Sequence, residues 1–317
     1  MTGSGDRTAV VSRDSNSVTP ALGHISVCIC TFKRPELLGR LLSALQQQQT
    51  YGRFSYSVVV VDNDAEGSAG ASVAAFSATT RLRAAYCLEP QKNIAVARNR
   101  AVSNAEGDFI AFIDDDEFPE DDWLLRLLET QARYNADGVL GPVKPYFASE
   151  PPAWVRKGGF FDRPTHATGF RMNWEEARTG NVLFRRSILD GECAPFDTNF
   201  DAAGEDVDFF RRMMQKGCTF IWCNEAVAHE LVPASRCSRK YLLKRALLRG
   251  SNFRKHPTDR LKNTVKSVIA VPAYALALPV LALCGQHVFL KYLIKLLDHG
   301  SRLLSFAGLP VMTGRQI

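Results

Sequence analysis

The sequence carries little that would hold a disulfide-stapled or zinc-built domain together. Its eight cysteines form no paired C-x-x-C set, and no histidines stand at zinc-finger spacing. Cys28 and Cys30 alternate within an apolar run, so we expect both to act as small hydrophobic residues on one face of a strand. This scatter favours a reducing compartment over a disulfide framework.

The N-terminal residues 1–23 lack the apolar core of about 7–15 residues that a secretory signal contains. They are rich in Ser, Thr and Gly, a composition that cannot bury enough apolar surface to fold by itself. We therefore expect residues 1–23 to form a flexible segment ahead of the folded chain.

Net positive charge is confined to one stretch of the sequence. Between Arg236 and Lys262 ten Lys or Arg residues accompany a single acid, Asp259, which gives +9 there and leaves −3 for the rest of the chain. A protein that coats nucleic acid carries its cations more widely. The basic stretch is therefore a local feature, and no nucleic-acid partner is expected.

Strand-like and helix-like segments alternate through the first 113 residues. Short β-branched runs predict strands at residues 24–31, 56–61, 81–88 and 108–113, and apolar spacing predicts helices at residues 35–49 and 93–104. This alternation predicts an α/β fold with right-handed βαβ units and a mostly parallel sheet. Polar residues follow three of the strands, as TFKR, DND and DDDE, at the sheet edge where ligands bind in such folds.

The chain becomes irregular over residues 142–179, which are rich in Pro, Gly and aromatic residues. Such a segment inside a compact domain is more often a binding loop than a linker. Regular structure is predicted again at residues 188–189, in a helix at residues 205–216 that Gly217 ends, and in a strand at residues 219–222.

The run Asp114-Asp115-Asp116 admits two interpretations. It could be a solvated turn, as we expect for Glu120, Asp121 and Asp122 at the start of the next helix. However, three adjacent carboxylates at a strand end repel one another unless a cation binds. Mg²⁺ and Mn²⁺ prefer oxygen ligands and substrate phosphates, so these acids are equally a candidate metal and phosphate site.

The other candidate groups each have a structural alternative. Asp62 could simply end its strand, and Asn93 could simply start a helix, although Arg98 and that helix N-terminus would suit an anion. Glu205 and Asp206 could be first-turn acids that complement a helix dipole. His229 alone would be an ordinary half-buried histidine.

Six segments in this order nevertheless resemble family 2 glycosyltransferases of the GT-A fold: SVCICTFKRPELLGRLLSAL, VVVVDND, NIAVARNRAV, GDFIAFIDDDEFPEDDW, TGNVLFRR and GEDVDFFRRMMQKG. The resemblance covers residues 24–250 and is closest to bacterial enzymes that build exopolysaccharide or other surface glycans. It implies a Rossmann-like sheet flanked by helices, a nucleotide-sugar donor such as a UDP-sugar, and Mg²⁺ or Mn²⁺ as cofactor.

The resemblance also implies residue roles. The residues expected to bind the nucleotide-sugar are Thr31, Arg34, Asp62, Asn93, Arg98, Asp114 and Asp115. Those expected near the sugar and acceptor are Gly180 and Asn181, and those expected to hold the metal are Asp116 and His229. Asp206, with Glu205 beside it, matches the catalytic base, which implies inversion at the anomeric carbon.

Departures from the family pattern concern the donor pocket. Cys30 replaces a common proline, Lys33 replaces an asparagine, and Asn93-Ile94-Ala95 replaces an N-x-G segment, so the donor sugar stays open. The Q-x-x-R-W motif of processive synthases is absent from the expected region, which favours transfer of one sugar per encounter.

The C-terminal region, residues 251–317, combines basic and apolar segments. Residues 267–290 carry no formal charge and are long enough to be a membrane-span candidate, although Pro272 and Pro279 interrupt them. Residues 287–304 are amphipathic. A preceding basic block favours attachment to the cytoplasmic side of the inner membrane, where lipid-linked acceptors occur. The alternative is a helical pair packed on the catalytic domain.

Three other functions fit parts of the pattern. A haloacid-dehalogenase-type phosphatase places D-x-D after a strand but needs Thr or Val where Phe118 stands. A nucleotidyltransferase needs a glycine-rich first loop with basic residues. A non-catalytic membrane adaptor would explain the basic stretch but not the polar strand ends.

Overall fold

The computed structural model describes residues 23–200, 204–251 and 260–309. The flexible segment predicted at residues 1–23 lies outside this range except for Gly23. Part of the basic stretch, residues 252–259, also lies outside it.

Ten strands in the described residues fall into two sheets. Their bounds are β1 His24–Thr31, β2 Ser55–Asp62, β3 Ala84–Leu88, β4 Phe109–Ile113, β5 Glu117–Pro119, β6 Gly138–Leu140, β7 Val143–Tyr146, β8 Asn181–Arg185, β9 Phe220–Trp222 and β10 Ala228–Leu231. Seven strands form the central sheet in the order β3-β2-β1-β4-β8-β6-β9. Only β8 within that sheet runs antiparallel to its neighbours, so the predicted mostly parallel sheet is confirmed.

Apolar residues on both faces bury the central strands. Ile25, Val27 and Ile29 of β1 contact one core cluster, while Cys28 and Cys30 contact the cluster on the opposite face. This alternation is the period-two geometry of a strand. The two cysteines therefore share one face, as predicted, and all eight cysteines are free thiols.

Nine α-helices lie in the described residues, with bounds α1 Pro35–Gln46, α2 Gly70–Thr79, α3 Ile94–Asn104, α4 Trp123–Tyr134, α5 Ala153–Gly158, α6 Glu205–Gln215, α7 Arg239–Ser251, α8 Arg260–Leu283 and α9 Gln286–Phe306. Helices α1, α2 and α4 contribute to the core on one face of the sheet, and α3 and α6 to the other. Pro35 stands in the first turn of α1, where its missing N–H costs nothing. The predicted helices α1, α3 and α6 are thus present, with ends shifted by a few residues.

A small second sheet, in the order β5-β10-β7, borders the carboxyl edge of the central sheet. Strand β10 pairs with β5 directly after the Asp114–Asp116 run, and Leu231 N–H donates to the Asp116 carbonyl. The prediction of an irregular segment at residues 142–179 was wrong in part, because β7 and α5 lie within it. Strands of three or four residues are too short to show a period in the sequence.

The C-terminal helices form a layer of their own. Helix α9 packs along both α7 and α8 and also contacts α5 of the α/β domain. Tyr274 of α8 meets Tyr292 of α9, and Ser267 of α8 hydrogen-bonds His299 of α9. Successively earlier positions in α8 therefore meet later positions in α9, so the two helices form an antiparallel hairpin around Gly285.

Candidate active site

The loop after β1 and the acids after β4 meet at the carboxyl edge of the sheet. Thr31 Oγ1 donates to Asp115 Oδ2 at 2.8 Å. One guanidinium nitrogen of Arg34 donates to Asp115 Oδ1 at 2.9 Å and to Asp116 Oδ2 at 3.1 Å. Because β1 and β4 are parallel neighbours, their ends coincide. Four of the residues expected at the donor site therefore lie together.

Arg98 connects the strand-end acids to the first turn of α6. Its side chain is 9% exposed, forms an ion pair with Glu205 and lies 3.9 Å from Asp114 Oδ1. Asp206, the next residue of α6, has Oδ2 3.9 Å from Nε of Arg178. The expected nucleotide-side role of Arg98 stays a prediction, and in the structure its ion-pair partner is an acid of the expected catalytic pair.

Gly204 allows α6 to begin at this point. Its φ of +108° lies in the left-handed region, which residues with a side chain rarely adopt. The turn places Glu205 against Arg98 and leaves Asp206 17% exposed. One acid of the pair is thus buried and the other is accessible to a substrate.

Burial dominates the electrostatics of these carboxyl groups. It raises the pKa of Asp115, while Arg34 and the Thr31 hydroxyl oppose the rise. It also raises the pKa of Asp114 and Glu205, and Arg98 opposes both changes. The guanidinium groups therefore offset part of the free-energy cost of holding several carboxylates out of water.

A second ion-pair network, which the sequence did not reveal, lies beside the first. Arg163 donates to Glu230 at 2.5 Å and lies 3.8 Å from Glu117 Oε1. Arg236 donates to Glu230 at 3.0 Å and has a nitrogen 3.6 Å from Asp116 Oδ2. These residues come from β5, β10, the loop after α5 and a 3₁₀ helix at Ala234–Arg236, so only the tertiary fold brings them together.

Glu117 is a buried acid with incomplete hydrogen bonding. Its Oε1 atom accepts no hydrogen bond, although the Arg163 guanidinium lies nearby. Burial and the neighbouring Asp114 raise the pKa of Glu117 well above its ordinary value. The sequence offered one signal for Glu117, which directly follows the three aspartates. One interpretation of that acidic run was a solvated turn, whereas Glu117 is buried.

Gly180 and Asn181 were both expected near the sugar and acceptor, and the structure gives them different surroundings. A Cβ atom at Gly180 would come within 2.9 Å of Glu117 Oε1 and 3.1 Å of Asp114 Oδ2, so this glycine lets the chain pass close to the site. The amide group of Asn181 accepts from Trp123 Nε1 and donates to the carbonyls of Pro142 and Ala226. Both N–H groups of Asn181 thus hold the fold together, and its expected place near the sugar and acceptor stays a prediction.

Asp62 and Asn93 fix loops at the same edge. Asp62 accepts from the backbone N–H groups of Asp64 and Ala69 and from the Tyr86 hydroxyl. Asn93 caps α3 by accepting from the Ala95 N–H at 2.8 Å. Both side chains are buried, and their expected contacts with a nucleotide stay predictions.

His229 was expected to hold the metal, and that role stays a prediction; in the structure its ring has partners on its own side of β10. The His229 ring stacks on Phe118 and lies 3.2 Å from Glu120, one of the acids at the start of α4. Side chains alternate across a strand, so the next residue, Glu230, faces Asp116 through Arg236. Glu230 therefore joins the group of acids at this edge of the sheet.

The donor set fits a divalent cation completed by substrate. Seven carboxylates (Asp114, Asp115, Asp116, Glu117, Glu205, Asp206 and Glu230) lie among five guanidinium groups (Arg34, Arg98, Arg163, Arg178 and Arg236). In the described residues no three His, Cys, Asp or Glu side chains already converge as ligands. Phosphate oxygens would supply the remaining ligands, as Mg²⁺ commonly requires.

Comparison with known sequences gives a consistent result. The family model described as Glycosyl transferase family 2 matches residues 26–193. The succinoglycan biosynthesis protein ExoM of Rhizobium meliloti (strain 1021) is 39% identical over 232 residues, which cover 72% of this chain and 73% of that protein. Glycosyltransferase AglE of Haloferax volcanii is 25% identical over 66% of this chain and 67% of its own length.

Solved structures share the fold. S. aureus TarS 1-349 in complex with UDP aligns with a TM-score of 0.53 and 15% identity, over 90% of each chain. The same protein in complex with UDP-GlcNAc aligns with a TM-score of 0.53 and 14% identity, over 90% of this chain and 92% of that one. At such low identity the likeness concerns the fold, and it agrees with the predicted GT-A architecture.

Proposed function

Because this chain belongs to glycosyltransferase family 2, we propose that it transfers one sugar from a nucleotide-sugar, a UDP-sugar, to a hydroxyl of a glycan or lipid-linked acceptor. This transfer would be a step in the synthesis of a surface polysaccharide. Support for the process comes from the relative named for succinoglycan biosynthesis, and support for the donor comes from the fold neighbour bound to UDP-GlcNAc.

One observation carries the proposal: Arg98 lies between Asp114 and Glu205. Asp114 belongs to the strand-end acids, which also contact Arg34 and Arg236, whereas Glu205 precedes the expected base Asp206. A donor diphosphate near the first group and an acceptor hydroxyl near the second would lie on either side of Arg98. That arrangement suits direct transfer, in which both substrates are held together.

The leaving diphosphate would meet Arg34, Arg163 and Arg236. In the free protein these guanidinium groups are paired with Asp115, Asp116, Glu117 and Glu230. A nucleoside diphosphate presents oxygen acceptors of the same kind and a higher charge. Guanidinium groups stabilise charge that develops on such a leaving group.

Asp116, with Asp114 beside it, would hold Mg²⁺ or Mn²⁺. Such an ion, when bound, supplies positive charge that stabilises the departing diphosphate. Glu117 and Glu230 would balance the local charge through Arg163 and Arg236. The protein supplies the oxygen ligands, and the neighbouring arginines offset the repulsion between the carboxylates.

Asp206 would act as the catalytic base. It would take the proton from the acceptor hydroxyl as the hydroxyl oxygen attacks the anomeric carbon and the bond to the diphosphate breaks. A single displacement of this kind inverts the anomeric configuration. Glu205 would orient the first turn of α6 through its ion pair with Arg98, and Gly180 would leave room for the sugar beside Asp114.

The acceptor would be met at the cytoplasmic side of the cell membrane. In the described residues one helical segment, Asn263–Leu283, is long and apolar enough to cross a membrane by length and composition, and only 6% of its apolar window is buried. A catalytic domain attached there would reach lipid-linked glycans.

The test is a panel of nucleotide-sugars incubated with the full chain, with and without Mn²⁺, and with lipid extract as the acceptor source. We expect slow UDP release from one UDP-sugar, dependent on the metal and accelerated by the acceptor. Release of inorganic phosphate would support a phosphatase and contradict the proposal. Turnover that is the same with and without excess chelator would contradict only the metal dependence.

A further inference from the structure

We propose that α8 lies in the plane of an anionic membrane surface, with one apolar stripe in the acyl layer, and does not cross the bilayer. This inference rests on the proposed function, because it describes how the enzyme would reach a membrane-bound acceptor. The partner of the stripe is the bilayer itself. The alternative partner is a second copy of the chain, and thiol labelling and sedimentation distinguish the two.

Most of the exposed surface of α8 is an apolar stripe, and Lys266 is also exposed on this helix. Six large residues on it are more than half exposed, and they are Val265, Val268, Ile269, Leu276, Val280 and Leu283. In a helix with 3.6 residues per turn these six positions fall within an arc of about 120°, so they share one side of α8. Pro272 and Pro279 lie on this side as well. Water-exposed apolar patches of this extent mark interaction sites.

The opposite side of α8 is already covered by α9. Ser267 donates to or accepts from His299 Nδ1 at 2.9 Å, and the rings of Tyr274 and Tyr292 are 5.7 Å apart. Both contacts belong to one antiparallel register, since a step of seven residues along α8 corresponds to seven along α9. The helices therefore pair over most of their length, and α8 keeps only the stripe for a partner.

Crossing the bilayer would draw α9 into the hydrocarbon with α8. Charged residues Lys291, Lys295, Asp298 and Arg302 follow one another at intervals of four, three and four along α9. Lys291 and Lys295 are exposed, and Asp298 pairs with Arg302. Exposed cations at membrane depth are costly, so an α8–α9 pair that spans is disfavoured.

The prolines oppose spanning for a second reason. Each proline inside α8 lacks an N–H, so the carbonyls of Val268 and Ala275 lose their usual helical donors. Both residues are exposed on the lipid side. At the boundary between headgroups and acyl chains water can satisfy these carbonyls, whereas in the hydrocarbon interior it cannot.

Charge selects an anionic surface. From Arg236 to the end of the sequence the chain contains two acids, Asp259 and Asp298. Exposed cations stand on each of the three C-terminal helices, and they are Arg239, Lys240, Lys266, Lys291 and Lys295. Basic residues next to an apolar helix face add electrostatic attraction to anionic lipids. A second copy would bring the same positive charge to the interface and would be repelled.

Vesicle flotation tests the stripe. The full chain should float with vesicles of phosphatidylglycerol and phosphatidylethanolamine, and either Ile269→Glu or Leu276→Glu should weaken binding about tenfold or more, since buried apolar area sets the affinity. Tyr51→Glu, which changes an exposed aromatic residue of the α/β domain, should bind like the unaltered chain. Unchanged flotation of both stripe variants would overturn the proposal.

Two native thiols distinguish lying from spanning. Cys284 follows Leu283 at the end of the stripe, Cys193 is in the α/β domain, and both are exposed. With sealed vesicles, a membrane-impermeant maleimide added outside should label Cys193 at its usual rate and Cys284 about tenfold more slowly, because thiolates react in water. Peptide mapping assigns each labelled cysteine. Labelling of Cys284 by maleimide trapped inside the vesicles would establish spanning and overturn the proposal.

Two further measurements separate the inference from its premise. Metal-dependent UDP release without vesicles should be unchanged in Ile269→Glu and Leu276→Glu, because α8 is not part of the ion-pair network. If the unaltered chain released UDP but did not bind vesicles, the in-plane helix would be refuted and the proposed function would stand. Protection of Cys284 without vesicles, together with a dimeric mass in sedimentation, would assign the stripe to a second copy instead.

Discussion

Single side chains at the sheet edge have separable tasks, and the pair Glu205-Asp206 shows why neighbours in sequence differ. Glu205 is buried against Arg98, whereas Asp206 is partly exposed and only loosely associated with Arg178. A base must reach the substrate proton, so accessibility favours Asp206 for proton removal. Glu205 is better suited to fixing the helix start.

Asp206→Asn should therefore lower turnover by about 10²–10⁴-fold, the usual contribution of a general base. Donor affinity should be nearly unchanged, since Asn has the same shape. Asp208→Asn is the matched control, because Asp208 lies on the same helix and pairs with Arg211 and Arg212. Turnover and donor binding measured on both variants decide the point, and near-normal turnover of Asp206→Asn would exclude it as the base.

The Arg98–Glu205 pair is buried on both sides, with side chains 9% and 5% exposed. Arg98→Met alone should destabilise the protein by about 3–5 kcal/mol, because it leaves a buried carboxylate without its partner. Adding Glu205→Gln should restore much of that stability without restoring activity. Chemical denaturation of the single and double variants measures this, and additive losses would show that the two groups do not interact.

Glu117 should make stability depend on pH. Burial raises its pKa in the folded protein well above the ordinary value of 4.5, so the folded state keeps a proton that the unfolded chain releases. The unfolding free energy contributed by this group is full below about pH 4.5 and falls as pH rises through the folded pKa. Glu117→Gln cannot lose that proton.

The stability of Glu117→Gln relative to the unaltered chain should consequently increase from acid to neutral pH in the presence of chelator. Urea unfolding at about pH 4 and about pH 8 measures the difference. Added Mn²⁺ should reduce it, since a bound cation stabilises the ionised carboxylate. A difference that is the same at both pH values would show that Glu117 titrates normally.

At the scale of elements, predictability followed length and repetition. Helix α1, with buried Leu38, Leu41, Leu42 and Leu45, and the valine-rich β2 show clear periods in the sequence. Strands β5, β7 and β10 have three or four residues each, too few for a period, and they pair only with one another. The part of the site built on long elements was therefore predictable, whereas Glu117, Arg163, Glu230 and Arg236 depend on tertiary pairing.

Strand β10 illustrates the limit at a single residue. The sequence analysis predicted no strand at AHEL, so it could not show which face of β10 meets the site. Pairing of β10 with β5 sets that register, with His229 opposite Phe118 and Glu230 opposite Glu117. Since a shift of one residue exchanges the faces of a strand, this choice needed the fold.

Single substitutions of His229 and Glu230 should separate their roles. His229→Ala should leave the Mn²⁺ concentration for half-maximal activity unchanged, because its ring faces Phe118 and Glu120. Glu230→Gln should shift that concentration about tenfold, the scale expected when an outer partner of a metal site is lost. Metal titrations of UDP release compare the variants. A shift in His229→Ala and none in Glu230→Gln would instead support the histidine as ligand.

For the whole molecule, the short chain segment after β10 joins the sheet edge to the C-terminal helices. Arg236 contacts Glu230 and Asp116, and three residues later α7 begins and packs against α9. We propose that the C-terminal layer starts at α7 rather than at residue 251. A membrane-bound hairpin would then be tied to the active site through Arg236.

This connection predicts a specific coupling between lipid and turnover. Arg236→Lys keeps the charge, but a lysine ammonium is a single donor point and cannot serve Asp116 and Glu230 as a planar guanidinium does. Turnover should fall about tenfold, a loss of about 1.4 kcal/mol in transition-state stabilisation, and stimulation by anionic vesicles should diminish. Arg239→Lys, an exposed residue at the start of α7, should retain both properties. Vesicle flotation should be equal for the two variants, because neither alters the apolar stripe of α8. If Arg236→Lys kept normal turnover and normal stimulation, the sheet edge and the membrane hairpin would act independently.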